Sequence, residues 1–198
     1  MSTAFVLGNG TSRASIPLDN LKNYGVVYGC NALYREFEPD HLVAVDAKMV
    51  LEIAKSNWQL KHNVYTNHNK NFKDIAKLNI LNPSKGWSSG PTALDLATEH
   101  GHENIYILGF DYKGTTGRGD KSDRVNNLYA GTYNYKRKTD PATYFGNWER
   151  QTGIILQRNG KKRYIRVVQD NDVFIPKGLK SFSNLSHITV DEFLERFK

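Results

Sequence analysis

Short apolar runs that alternate with amphipathic segments constrain this chain more than any other feature. Six runs rich in β-branched and aromatic residues predict strands, at residues 4–7, 25–30, 41–45, 63–66, 104–110 and 163–168. Four segments with helical features accompany them, at residues 46–57, 91–101, 142–158 and 189–197. The strand runs are nearly continuous, as in strands that are covered on both faces. The alternation therefore predicts an α/β fold with a mostly parallel sheet and helices on both faces.

The bulk composition indicates one globular domain over residues 1–198. Hydrophobic residues make up 39% and aromatic residues 12% of the 198 positions, which is enough for a sizeable core. Cys30 is the single cysteine, so an internal disulfide is excluded and a reducing compartment is expected. With no secretory signal and no run of about 18 apolar residues, we expect a soluble cytoplasmic protein. The compact length also suits a viral genome, for which the location is the host cytoplasm.

The charge balance favours anionic partners. Lysine and arginine number 27 against 20 aspartates and glutamates, which gives a formal net charge of +7. Nucleotides, phosphates and nucleic acid are the partners that such a balance attracts. The alternative is that the charge serves solubility alone.

Polar residues follow several of the predicted strands at the point where each strand ends. The first strand leads into Gly8, Asn9, Gly10, Thr11 and Ser12, and later strand ends carry Asn31, Asp46, Asp111 and Tyr112. Ligands of open parallel sheets bind beyond the carboxyl ends of the strands, so we expect these residues to meet. The glycines would let backbone amides approach a phosphate closely. The spacing matches neither the full dinucleotide fingerprint nor a P-loop.

A second candidate site is the start of the helix at residue 91. Ser88, Ser89 and Gly90 stand directly before Pro91. Proline favours the first helical position and serine or glycine the cap before it. The unpaired amides and hydroxyls of such a helix start can bind an anion, although an ordinary capped helix has the same pattern.

Residues 113–140 break the alternation and predict a flexible lid. They hold seven lysines and arginines against three aspartates, with tyrosines interleaved. Loops of this length in compact domains are often functional. The lid residues expected to meet an anionic ligand are Lys113, Arg118, Arg124, Tyr129, Tyr133 and Lys136. A solvated surface excursion is the alternative.

Three stretches together resemble the small Rossmann-like bacterial sialyltransferases and the related pterin-pyrophosphokinase-like domains. They are "FVLGNGTS", "YGCNAL" and "SSGPTALDLATEHGHENIYILGFDY". Their order and approximate spacing match over residues 4–112. "EPDHLVAVD" is more similar to the pyrophosphokinase-like relatives. The resemblance implies a Rossmann-like domain with a cytidine nucleotide or nucleotide-sugar site.

The resemblance also implies roles for single residues. Asn9 and Asn31 would contact the nucleotide and its phosphate, and Ser88, Ser89 and Gly90 would supply donors. Tyr112, or a tyrosine of the following loop, would stabilise the leaving phosphate. The catalytic histidine of those sialyltransferases has no counterpart, because no histidine lies between His102 and His187. The base is therefore expected among Asp46, Asp111, Asp140 or a tyrosine.

The expected function is that of a nucleotide-binding transferase, of the glycosyltransferase type, which uses a nucleotide-activated sugar. The alternatives are a pyrophosphokinase-like phosphoryl transferase, in which Asp46 and Asp111 would hold Mg²⁺, and a non-catalytic nucleotide or nucleic-acid binder. The expected partners are a nucleotide or nucleotide-sugar and a glycan or nucleic-acid acceptor. No histidine or cysteine pattern has the spacing of a metal site.

Overall fold

The computed structural model describes residues 2–117, 122–171 and 174–198. Its strands are β1 (Thr3–Leu7), β2 (Val26–Cys30), β3 (His41–Val43), β4 (Val64–Thr66), β5 (Leu78–Ile80), β6 (Asn104–Leu108), β7 (Arg163–Val168) and β8 (Leu185–Thr189). Its helices of more than one turn are α1 (Ala47–Lys55), α2 (Ser89–Glu99), α3 (Gly146–Arg158) and α4 (Val190–Arg196).

The strands form one sheet in the order β5-β4-β3-β2-β1-β6-β7-β8. Every pair is parallel, and Phe5 at the centre lies opposite Val27 on one side and Tyr106 on the other. The chain builds outward from β1 in one direction, then returns to β6 and builds outward in the other. This is the doubly wound, Rossmann-like arrangement, and its topological switch point lies between β1 and β6.

The side chains of β1 alternate between two hydrophobic layers. Phe5 and Leu7 join the layer that contains α1 and α4, whereas Ala4 and Val6 join the layer that contains α2 and α3. Because both faces of the strand are covered, all four side chains are fully buried. The prediction of a parallel sheet with helices on both faces is confirmed.

Two edge strands, β5 and β8, were missing from the sequence prediction. β5 has three residues with one neighbouring strand, and two of those residues are exposed. β8 reads "LSHIT" and buries only its isoleucine fully. Such short half-covered strands lack the continuous apolar run that marked the others. The predicted helices begin and end within four residues of the observed bounds.

The described part of the segment 113–140 lies beside the carboxyl ends of the central strands, where several of its residues line one cleft with strand-end residues. Within its described part, the regular pairing is a bridge between Arg124 and Pro141. Leu128 donates its amide to the Asn9 carbonyl at 2.8 Å, which ties the segment to the loop after β1. Arg118, one of the predicted lid residues, lies outside the described residues. Its neighbours 119–121 do too.

Across the described residues, no helix has the length and apolar character that a membrane crossing requires.

Candidate functional site

A cleft of about 420 Å³ opens at the switch point of the sheet. Its floor and walls include residues at strand ends or helix starts, namely Asn9, Gly10, Cys30, Asn31, Asp46, Ser88, Gly109, Asp111 and Tyr112. Its roof is made of residues from the lid, from the segment before α3 and from the first turn of α3, including Lys113, Asn126, Asn127, Asn134, Tyr135, Lys136, Tyr144, Asn147 and Trp148. Strand-end residues that are far apart in the sequence are thus brought together, as the parallel-sheet argument expected. Gly8, Thr11, Ser12, Ser89 and Gly90 do not line the cleft itself.

The glycines of the first loop serve close packing between two protein loops. A Cβ at Gly8 would lie 2.7 Å from the Gly109 carbonyl oxygen, and a Cβ at Gly10 would lie 2.6 Å from it. Gly109 has a φ of +70°, and a Cβ there would lie 2.5 Å from the Gly8 carbonyl oxygen. The loops after β1 and β6 therefore interlock backbone against backbone. Gly8 is thus required by the packing of the two loops, and the expectation that the loop lets an amide approach a phosphate stays a prediction.

Asn9 forms hydrogen bonds that connect the loop after β1 to the end of β2. Its side-chain amide donates to the Cys30 carbonyl at 3.0 Å, and its Oδ1 accepts from the Arg13 guanidinium at 2.9 Å. Arg13 is 3% exposed and also donates to the Gly8 carbonyl at 2.6 Å. Because both ends of the Asn9 amide are engaged inside the protein, its first role is to join β1 to β2. Sequence reasoning gave Arg13 no role and missed this one.

Asp111 connects the loop after β1 to the lid through hydrogen bonds. Its carboxylate accepts from the Ser12 amide at 3.2 Å and from the Ser12 hydroxyl. It also accepts from the Asn126 side chain at 3.0 Å, and Asn126 in turn accepts from the amide and hydroxyl of Thr11, each at 2.9 Å. Thr11 and Ser12, predicted to bind nucleotide, therefore anchor the lid. These contacts leave Asp111 occupied by protein donors.

Asn31 and Ser89 form a bridge over the ends of three elements. The Ser89 hydroxyl donates to the Asn31 side-chain oxygen at 2.9 Å and accepts from the Val45 amide at 3.1 Å. Asn31 has a φ of +52°, in the left-handed region that asparagine tolerates best after glycine. The bridge fixes the start of α2 against β2 and β3. Ser88 is the N-cap residue of α2, although its side chain makes no capping hydrogen bond. It lines the cleft, and its amide donates to the Gln151 side chain at 3.0 Å.

Gly90 is required by helix packing. A Cβ at this position would overlap the indole ring of Trp148 on α3. Packing against that ring accounts for the glycine, and the donor role that the resemblance implies for Gly90 stays a prediction. Trp148 itself lines the cleft and meets the Phe110 ring at a centroid distance of 5.0 Å.

The Tyr112 hydroxyl forms a hydrogen bond inside the protein, so it is not available for the predicted role in stabilising the leaving group. The hydroxyl pairs with the Thr152 hydroxyl on α3 at 2.9 Å, and the ring lies 5.1 Å from the Arg166 guanidinium. Burial raises the pKa of Tyr112 to about 12. The prediction of Tyr112 as a catalytic group is therefore not supported by its geometry, because its hydroxyl is already bound inside the core.

Asp46 occupies a different kind of position from Asp111. It caps α1, where its Oδ1 accepts from the Lys48 amide at 2.9 Å, and it lines the cleft. Among the described residues, Lys48 is the one hydrogen-bond donor to its side chain. Asp46 is thus the cleft carboxylate with an oxygen left for a ligand.

The described residues among those predicted for the lid lie in different surroundings. Lys113 and Lys136 line the cleft. Tyr129 is 7% exposed and donates its hydroxyl to Glu36 at 2.6 Å, so it anchors the lid rather than facing the cleft. Arg124 bonds to neighbouring lid backbone, and Tyr133 is 74% exposed.

Sequence reasoning gave no role to several asparagines and aromatic residues that line the cleft. They are Asn126, Asn127, Asn134, Asn147, Tyr144, Phe145 and Trp148. The spacing of these residues carries no motif, and the one available signal was their concentration between residues 126 and 148. Tyr135, one of the loop tyrosines that the resemblance offered for the leaving phosphate, also lines the cleft. Its hydroxyl accepts from the Ala32 amide at 3.3 Å. Burial raises the pKa of Tyr135 to about 12.

Within the described part of the chain, no group of three or more histidine, cysteine, aspartate or glutamate side chains converges as metal ligands would.

Comparison of the chain with protein-family models, with curated proteins and with solved structures found no significant match.

Proposed function

We propose that this chain is a nucleotide-binding transferase of the glycosyltransferase type, which takes a nucleotide-activated sugar into the switch-point cleft. The observation that carries the proposal is the lining of that cleft. Six asparagines line it together with aromatic residues such as Trp148, Tyr135 and Tyr144. Among the described residues, the side-chain nitrogens of Asn31 and Asn127 and the whole amide of Asn147 have no hydrogen-bond partner. Such amide groups suit base edges and sugar hydroxyls, and aromatic rings suit the faces of bases.

Lys136 and Tyr135 are assigned different roles toward the leaving nucleotide. Lys136 on the lid is positioned to meet the phosphates of the leaving nucleotide and to stabilise the charge that develops there. Tyr135 stays protonated at neutral pH because its pKa is raised to about 12. Its hydroxyl accepts from Ala32, so its own proton is available to an anionic leaving group. Tyr135 replaces Tyr112 in this role.

Asp46 is the proposed general base toward the acceptor hydroxyl. It lines the cleft and has an oxygen beyond the one that caps α1. Asp111 lines the same cleft, but Ser12 and Asn126 donate to both of its oxygens. General-base catalysis needs a group within hydrogen-bond reach of the substrate proton, and Asp46 meets this requirement better.

The phosphoryl-transfer alternative needs Asp46 and Asp111 as a pair of Mg²⁺ ligands. The engagement of Asp111 by Ser12 and Asn126 makes this donor set less suitable. The third alternative is a non-catalytic binder of nucleotide or nucleic acid in the same cleft. A cytoplasmic location, in the host for a viral protein, stays a prediction for all three.

A thermal-shift screen with CMP, UMP, UDP and GDP and their sugar conjugates tests the proposal, because a ligand of the folded state raises the unfolding temperature. We expect at least one nucleotide-sugar to raise it. A chain that none of these compounds stabilises contradicts the proposal.

Asp46→Asn separates catalysis from binding. Asparagine also caps helices well, so the fold and the thermal shift should persist. Turnover of the stabilising nucleotide-sugar should fall by about 100-fold or more, the usual contribution of a general base. Unchanged turnover would exclude Asp46 as the base, and binding without any turnover in the native chain would favour the non-catalytic alternative.

A further inference from the structure

Tyr133 on the lid and Tyr144 in the segment before α3 are the most exposed large apolar side chains of the described residues. Tyr144 is 77% and Tyr133 74% exposed, and the next, Leu51, is 47% exposed. Tyr144 lines the cleft, and Tyr133 directly precedes the cleft residue Asn134. Exposed aromatic rings at the edge of a cleft are a surface on which a planar partner can stack.

The other lid tyrosines show that this exposure is selective. Tyr129 is buried and bonded to Glu36, and Tyr135 is mostly buried against the Ala32 amide. The backbone beside Tyr133 is also fixed, since its carbonyl accepts from the Arg35 guanidinium at 2.8 Å. Tyr133 is thus an exposed ring on an anchored segment.

Cations lie between the two exposed tyrosines along the chain. Lys136 and Lys138 are exposed, and neither forms an ion pair with any described residue. Arg137 between them is paired with Asp140. The two tyrosines and the two lysines are called the basic–aromatic rim below. Their charge matches a partner that carries repeated negative charges.

We propose that the basic–aromatic rim docks a single-stranded nucleic acid, with bases stacked on Tyr133 and Tyr144 and backbone phosphates on Lys136 and Lys138. The combination of stacking rings and cations is how proteins hold single strands without reading their sequence. The formal charge of +7 favours approach of such a polyanion. The inference rests on the proposed function in taking the cleft as a nucleotide site, and it shares Lys136 and Tyr144 with that site.

The test is fluorescence anisotropy with a labelled oligothymidylate of about 12 nucleotides, a length within the usual site sizes. The native chain should bind it with an affinity that falls as salt rises, by about 0.7 in the logarithmic slope per phosphate contact. Lys136→Ser with Lys138→Ser should reduce that slope by about 1.4. Lys70→Ser with Lys73→Ser removes the same charge from exposed positions away from the cleft and should leave the slope unchanged.

The tyrosine variants test stacking separately from charge. Tyr133→Ala and Tyr144→Ala should each weaken binding by about fivefold or more at constant salt, the lower bound for a stacked base. Tyr24→Ala, at a 40% exposed tyrosine outside the rim, should change it little. If the lysine variants weaken binding and the tyrosine variants do not, the surface recognises charge alone and the assignment to nucleic acid is overturned.

The remaining outcomes are also decisive. No binding by the native chain at low salt, or equal loss in both lysine pairs, overturns the inference. If mononucleotides raise the unfolding temperature but the chain does not bind the oligonucleotide, this inference alone is overturned. Oligonucleotide binding without any mononucleotide shift would contradict the proposed function alone.

Discussion

Replacing Asn9 by alanine should destabilise the fold itself, because Asn9 joins the loop after β1 to the end of β2. The substitution removes the donor to the Cys30 carbonyl at 3.0 Å and the acceptor for the Arg13 guanidinium at 2.9 Å. Asn9 is 5% and Arg13 3% exposed, so water cannot easily replace either partner.

The size of the effect follows from the two lost hydrogen bonds. The neutral bond contributes about 1 kcal/mol and the bond from the charged guanidinium about 1.5–3 kcal/mol. The free energy of unfolding should therefore fall by about 2–4 kcal/mol, a large share of the roughly 5–15 kcal/mol that a domain has. In urea the unfolding midpoint should fall by about 1 M or more.

Two variants control this measurement. Asn9→Asp keeps an acceptor for Arg13 and loses the donor to Cys30, so its free energy of unfolding should lie between those of the native chain and Asn9→Ala. Asn147→Ala removes an exposed asparagine from another wall of the same cleft and should change stability by less than about 0.5 kcal/mol.

Urea unfolding of Asn9→Ala at the native midpoint would refute this reasoning. Combined with weakened nucleotide affinity, it would return Asn9 to the ligand-binding role that the sequence suggested. A loss of stability with unchanged slope of the unfolding free energy in urea would support the structural role.

Three other predictions concern different parts of the chain. Gly153→Ala in α3 should raise the free energy of unfolding, measured in urea titrations, by about 0.5–1 kcal/mol, because alanine favours the helix more than glycine does. The added Cβ would make only ordinary contacts, at 3.6 Å or more, and a decrease in stability would show that the space is not available. Glu52→Gln should speed hydrogen exchange of amides in residues 129–136, since Glu52 accepts bonds from the lid and from the arginine that holds it; unchanged exchange would contradict the anchoring. Burial, with the Arg166 charge, lowers the pKa of His187 from 6.5 to about 4. The unfolded chain therefore binds the proton more readily, and stability should fall as pH decreases from 6.5 to 4, more steeply than in His187→Leu, by up to about 1.4 kcal/mol per pH unit; parallel pH profiles would refute it.

Several features of the site were accessible from the sequence because they are local. The ends of buried strands are marked by the change from apolar to polar residues, and in a parallel sheet those ends share one edge. Asn31, Asp46 and Asp111 were found in this way, and all line the cleft. The start of α2 was marked by Ser88 and Pro91 for the same local reason, since helix caps are chosen within one turn.

The orientation of the side chains around the cleft, and the groups that they contact, could not be predicted from the sequence. Gly90 and Tyr112 stand where a ligand-binding group was expected, yet one packs on Trp148 and the other bonds to Thr152. Both partners come from α3, which lies far along the chain. A residue type shows what a side chain can bind, whereas its neighbours decide what it does bind.

The sequence alone determined the α/β class, the parallel sheet and the order of polar strand ends, because hydrophobic period and turn chemistry act over a few residues. The tertiary structure alone decided that the loops after β1 and β6 interlock and that Asn126 holds Thr11 from 115 positions away. It also decided that Tyr129 anchors the lid while Tyr133 stays exposed. These outcomes depend on which distant groups meet when the two hydrophobic layers close over the sheet, and no local pattern encodes those meetings.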